Sequence, residues 1–121
     1  MIDRIAIERL QVQAHVGVPP DERSQAQRLV LNITLTPAIT EPRDELADTV
    51  NYSAVAKVVR DTISHRHYKL IETVAEETAA ALVSQFKLQR VVVEVRKFVL
   101  ADAEYVSVTA VREAPAKRAR G

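Results

Sequence analysis

The chain has 121 residues, 17 Lys and Arg against 16 Asp and Glu for a formal charge of +1, and 47% hydrophobic content. This describes one globular domain with a core of ordinary size, and it excludes both a disordered chain and a basic nucleic-acid binder. The absence of cysteine excludes disulfides, thiolate metal sites and a thiol nucleophile.

From Leu10 the sequence alternates, with Leu10, Val12, Ala14, Val16 and Val18 on one face and Gln11, Gln13 and His15 opposite, the period of a half-buried strand. Gly17, Pro19 and Pro20 break it, and residues 21–27 (DERSQAQ) read as a polar loop. Alternation resumes with Leu29, Leu31, Ile33 and Leu35 against Val30, Asn32, Thr34 and Thr36, which predicts an antiparallel hairpin. Pro37 and Pro42 flank an irregular stretch. Residues 44–52 (DELADTVNY) lead into a helix capped by Asn51 or Ser53, with Val55, Val58, Val59, Thr62 and Ile63 as its apolar stripe. After His65-Arg66-His67 a second helix opens at 68–72 (YKLIE) and carries Ile71, Val74, Ala75, Thr78, Ala79, Leu82, Val83 and Phe86 at helical spacing. A strand follows from Arg90 to Lys97, with Val91, Val93, Val95 and Lys97 on one face, and a last strand runs from Tyr105 through Val111. Residues 114–121 have no periodicity and are expected as a mobile basic tail.

The order strand, strand, helix, helix, strand, strand predicts an α+β domain over residues 1–113: a four-stranded antiparallel sheet with two helices on one face. Two exposed sheet edges predict that subunits associate through them. The N-terminus lacks an apolar core for a signal peptide and no segment is long enough to span a bilayer, so the expectation is a cytoplasmic protein without membrane contact.

Four side chains carry candidate chemistry, and each has a plain reading beside the chemical one. Glu72 lies in the first turn of the second helix, where the helix dipole alone favours a carboxylate. A carboxylate there can also accept two parallel N–H bonds from a planar amidine-like edge. Lys97 closes an aliphatic face, either with its charge reaching water along a packed stem or as a desolvated amine. Tyr52 can pack in the core, neighbour the helix cap or donate a proton. Glu22 is a loop charge or a partner for a cation. The three histidines give no zinc register, and with Gly17 and Gly121 as the only glycines there is no phosphate loop and no Gly-x-Ser-x-Gly elbow. Aromatic content of 4% leaves no stacking platform for nucleic-acid bases. What remains is a site of Glu, Lys and Tyr that needs no metal and no cofactor.

Gly17-Val18 leading to Glu22, the run 46–52 (LADTVNY), Leu70-Ile71-Glu72 with Ala75-Glu76, and Lys97 at a strand end together resemble the dihydroneopterin aldolase family of the T-fold pterin-binding superfamily. The resemblance spans Ile2 to about Glu113. It implies the ββααββ T-fold and rings of four subunits whose sheets join into a barrel, two rings often stacking into an octamer. It implies a pterin substrate, 7,8-dihydroneopterin, cleaved to 6-hydroxymethyl-7,8-dihydropterin and glycolaldehyde without metal or Schiff base, in folate biosynthesis. Carried over by residue, Glu72 anchors the pterin, with backbone groups near Leu70 and Ile71 on its other edges. Thr49, Val50 and Tyr52 reach the pocket from a neighbouring subunit, while Glu22, Lys97 and Tyr52 are catalytic. Phe98-Val99-Leu100 stands where family aldolases have Pro-Gly-Ala after the lysine; the related dihydroneopterin triphosphate 2'-epimerase also lacks Pro-Gly there and is the alternative activity. A non-catalytic pterin-binding protein on the same fold is the third reading. His15 and Arg96 receive no role.

Overall fold

The computed structural model describes residues 1–115. Strands β1 (Ile5–Ala14) and β2 (Gln27–Pro37) form the expected antiparallel hairpin, but β1 begins well before Leu10. The reason is a bulge. Ile7 pairs with Ile33 and Leu10 with Leu31, so β1 carries one extra residue between these pairs. Arg9 takes a φ of 57° there, and its N–H donates to Asn32 Oδ1 at 2.9 Å. The extra residue rephases the side chains, so Ile5 and Ile7 join Leu10, Val12 and Ala14 on one face although their sequence parity differs. The far end of β1 is also corrected. Pairing with β2 stops at Ala14, Val16 forms a parallel bridge to Tyr68, and Val18 is 61% exposed because the chain has by then left the sheet.

The stretch expected as a loop contains one helical turn, α1 (Pro20–Arg23). Pro20 presets the first φ, Asp21 and Glu22 lie at the positive end of the turn and Arg23 at its close. A 3₁₀ turn at Leu46–Asp48 precedes α2 (Tyr52–Ser64), whose cap is Asn51: its Oδ1 accepts the Ala54 N–H at 3.2 Å. Helix α3 (Ile71–Gln85) starts later than expected, since Tyr68 is buried in the bridge with Val16.

Strands β3 (Leu88–Lys97) and β4 (Val106–Glu113) complete an antiparallel sheet of order β1-β2-β3-β4. Leu31, Val95 and Val108 lie in one row across it, and Ile33, Val93 and Ala110 in the next. These rows share a core with Val55, Val59 and Ile63 of α2 and Val74, Ala79 and Leu82 of α3. α2 packs on β1 and α3 on β3 and β4, so the sheet is covered on one side and open on the other. Each fully buried aliphatic side chain contributes about 1.5–3 kcal/mol. Among the described residues, no helix is long and apolar enough to cross a membrane. The backbone pairing reaches one residue past β4, where Ala114 N–H donates to Gln89 O at 2.9 Å. Of the tail expected over 114–121, residues 116–121 lie outside the described residues.

Thr78, on the buried stripe of α3, is fully buried and its hydroxyl has no hydrogen-bond partner among the described residues. Thr78→Val keeps the shape and removes the unpaired group, so it is expected to stabilise the fold by about 1 kcal/mol. Thermal unfolding at fixed protein concentration checks this; an unchanged or lowered midpoint would show that the hydroxyl is paired in solution.

Candidate active site

Lys97 ends β3 on the helix-covered face, opposite Leu29 and Val106. Its side chain is 14% exposed and its Nζ lies 3.1 Å from Glu22 Oε2, whose side chain is 32% exposed. The carboxylate compensates for the solvation that the ammonium gives up on that face. Glu22 reaches it from α1, and α1 is held from several sides. Arg23 Nη1 donates to the carbonyls of Gly17 and Val18, each at 3.0 Å. His15 Nδ1 lies 3.1 Å from the Arg23 carbonyl, and Gln27 Nε2 donates to Val16 O at 2.7 Å.

The start of α3 is tied to the same segment. Tyr68 N–H donates to His15 O at 2.8 Å, and Gly17 N–H donates to Tyr68 O at 3.0 Å. The Tyr68 hydroxyl donates to Thr62 O at 3.0 Å, and burial, with Glu77 nearby, pushes the phenol up to about 12. The ring of His67 stacks on that of His15 at 4.3 Å. Residues 15–17 therefore set both the loop that presents Glu22 and the turn that presents Leu70, Ile71 and Glu72.

Those five residues, Glu22, Leu70, Ile71, Glu72 and Lys97, line one cavity of about 400 Å³. Its apolar walls are Val18, Pro19, Val99, Val106 and Val108, with Lys69 at the rim. The volume is in the range of small-molecule sites, and the composition, an apolar slot with a few converging charges, is typical of them. Glu72 is exposed in the first turn of α3 and has no ion-pair partner among the described residues. The apolar walls come from three separate segments, and no local pattern in any one of them reports the others.

Thr49, Val50 and Tyr52 do not join this cavity within the protomer. They line a second one of about 380 Å³, with Ile5, Leu46 and Asn51. Tyr52 is the first residue of α2 and 65% exposed, so it is not a core residue here. Val50 is buried in the core of the chain.

Gly17 has a steric role that its φ does not reveal. A Cβ at this position would overlap the Glu22 carboxylate. Because the overlapped atoms belong to a flexible side chain, Gly17→Ala is expected to turn Glu22 away from Lys97 while costing about 1 kcal/mol or less in stability. A crystal structure of the variant checks this, and an intact Lys97–Glu22 contact in it would refute the role.

A family model described as FolB, dihydroneopterin aldolase, matches residues 5–111. The dihydroneopterin aldolase of Haemophilus influenzae is 32% identical over 114 residues, covering 92% of this chain and 97% of the relative. The atomic-resolution structure of Escherichia coli dihydroneopterin aldolase in complex with neopterin superimposes with a TM-score of 0.84 at 30% identity, over 92% of this chain and 99% of that one. Dihydroneopterin aldolase from Burkholderia thailendensis bound to guanine gives 0.78 at 26% identity, over 93% and 91% of the two chains. With its ββααββ order, its carboxylate and lysine on one cavity, and these matches over nearly its whole length, the chain belongs to the dihydroneopterin aldolase family.

Proposed function

We propose that this chain, as a single domain over residues 1–113, cleaves 7,8-dihydroneopterin by a retro-aldol reaction to 6-hydroxymethyl-7,8-dihydropterin and glycolaldehyde. Family membership makes it a lyase of folate biosynthesis. The observation that carries the specific reading is that the Glu72 carboxylate and the Lys97–Glu22 pair line the same cavity. Neopterin and guanine, the ligands of the two related structures, share a planar N–C(NH₂)–N edge. An unpaired carboxylate at a helix start is the group that accepts two parallel N–H bonds from such an edge. In this reading Glu72 takes the ring N3–H and the 2-amino group, and backbone groups of Leu70 and Ile71 take the remaining ring edges.

The chemistry then follows from the substrate. Cleavage of the side-chain carbon–carbon bond pushes electrons into the dihydropterin ring, where the N5 imine accepts them, so the substrate brings its own electron sink. The protein has to manage protons: one leaves the side-chain hydroxyl on the departing carbon as it becomes the aldehyde, and one is taken up at N5. Lys97, held by Glu22, handles the proton near N5 through water, and Tyr52 protonates the enol that results. Tyr52, Thr49 and Val50 belong to the neighbouring subunit's contribution. Support for that comes from the exposure of Tyr52 and from the apolar lining of the Lys97 cavity, where Val18, Leu70 and Val99 are 61%, 44% and 46% exposed. β1 and β4 are the outer strands of the sheet. Joining them between subunits would close a four-membered barrel, and two such rings give an octamer. The 2'-epimerase reading has less support: the cations lining the cavity are Lys69 and Lys97, and Lys97 is paired with Glu22. A triphosphate calls for more.

Glu72→Ala is expected to weaken neopterin binding by roughly 100-fold, the loss of two hydrogen bonds to a charged acceptor. Lys97→Ala is expected to keep binding within a few-fold while lowering kcat by on the order of 10²–10⁴. Fluorescence titration with neopterin, and chromatography of products from 7,8-dihydroneopterin and from its triphosphate, check both. Identical defects in the two variants would count against the division of roles, and turnover of the triphosphate alone would favour the epimerase.

The shared site has its own test. Glu72→Ala and Tyr52→Phe are each expected to be nearly inactive, but subunits mixed by mild denaturation and reassembly should recover turnover, since some sites then hold both native residues. If mixing restores nothing, each site is built from one subunit.

A further inference from the structure

The open face of the sheet carries a second cluster of charge that the Lys97 cavity does not use. Side chains alternate along β3, so Lys97 points to the covered face and Arg96 to the open one, where it pairs across from Val30 and Ser107. There a cavity of about 420 Å³ is lined by Arg9, Arg28, Arg96, Phe98 and Tyr105, with Glu104 as its single carboxylate. A neighbouring cavity of about 310 Å³ shares Arg9 and Arg96.

What sets these arginines apart is how they are held. The Arg28 guanidinium lies 4.6 Å over the Phe98 ring, and that of Arg96 4.3 Å over the Tyr105 ring. The two rings brace each other edge-on at 6.3 Å and 71°. Arg96 Nε donates to Glu94 Oε1 at 2.9 Å, and Asn32 Nδ2 fixes the same oxygen at 2.7 Å. The Asn32 Oδ1 in turn takes the Arg9 backbone N–H at 2.9 Å, in the bulge where Arg9 has a φ of 57°. Among the described residues, the side chains of Arg9 and Arg28 have no carboxylate partner. A guanidinium fixed by a ring face keeps its in-plane N–H groups free, whereas one fixed by a carboxylate has spent them.

We infer that this arginine–aromatic cluster is an anion site, separate from the Lys97 cavity, that takes the polyphosphate group of a small molecule. Arg9 and Arg28, unpaired with any carboxylate among the described residues, and the terminal N–H groups of Arg96, whose Nε is taken by Glu94, surround one recess and match several phosphate oxygens through paired N–H bonds. A single carboxylate or sulfate would use only part of them. The backbone conformation of Arg9 is uncommon for a residue with a side chain, and it places a third cation at the junction of the two recesses. The recognised chemistry is the phosphate chain itself, whether free or carried by a nucleoside.

Isothermal titration of the full chain with sodium tripolyphosphate, and separately with ATP, tests this at low and at physiological salt. Saturable binding that weakens with salt is expected for both. Arg28→Ala should weaken it about 10- to 100-fold. Phe98→Leu, which removes the ring but no charge, should weaken it about 2- to 5-fold. Arg28→Lys keeps the charge in a chain that folds if Arg28→Ala does not, and should fall between the two. Equal affinity for tripolyphosphate and ATP assigns recognition to the phosphate chain, and tighter ATP binding adds a contact to the nucleoside. Absence of saturable binding overturns the inference. So does binding that Arg28→Ala and Phe98→Leu leave unchanged, or binding that neopterin displaces and Lys97→Ala abolishes, which would put the anion in the Lys97 cavity.

Discussion

The parallel bridge between Val16 and Tyr68 is the contact on which the candidate site depends. It joins the end of the first strand to the residues just before α3, which are far apart in sequence, through two backbone hydrogen bonds. Without it, Glu22 and Glu72 would sit on independently moving segments. With it, the two carboxylates and the Lys97 amine share one frame, because β3 is tied to β2 along its length and β2 to β1. Tyr68 is well suited to the junction: its ring fills core space and its hydroxyl is used on the Thr62 carbonyl. The bridge itself adds only two hydrogen bonds, about 1 kcal/mol each. Its value is positional, since placing reacting groups within ångströms is the larger part of what such a site supplies.

Much of this architecture is legible in the residues themselves. The alternation of Leu29, Leu31, Ile33 and Leu35 and of Val91, Val93 and Val95 marks two strands buried on one face, and those side chains are buried. The Asn51 cap and the stripe from Ile71 to Leu82 likewise carry local signals that the fold keeps. The failures have specific causes. The first half of β1 escapes a period-of-two reading because the bulge switches parity between Ile7 and Leu10. α1 is too short to show a helical period.

The candidate site is less legible than the fold for a physical reason. Glu22, Glu72 and Lys97 can be nominated one at a time as charges in unusual positions, but their convergence is a tertiary fact. The role of Gly17 is similar: nothing in its neighbours says that the space it leaves is taken by a carboxylate five residues away. Tyr52 shows the limit in the other direction. Its aromatic ring reads as core material, yet it stands exposed at the head of α2.

The extra residue in β1 also bears on how the sheet ends. An outer strand with regular hydrogen-bonding groups along its whole length invites indiscriminate stacking of chains into fibrils. Here the irregularity at Glu8 and Arg9 bends the margin and interrupts that row partway along. An incoming strand therefore meets two shorter runs, Ile5 to Ile7 and Leu10 to Ala14, that are out of phase with each other, and a mismatched alignment loses contacts at once. A feature that looks like a defect in the ladder thus restricts which neighbours the margin accepts.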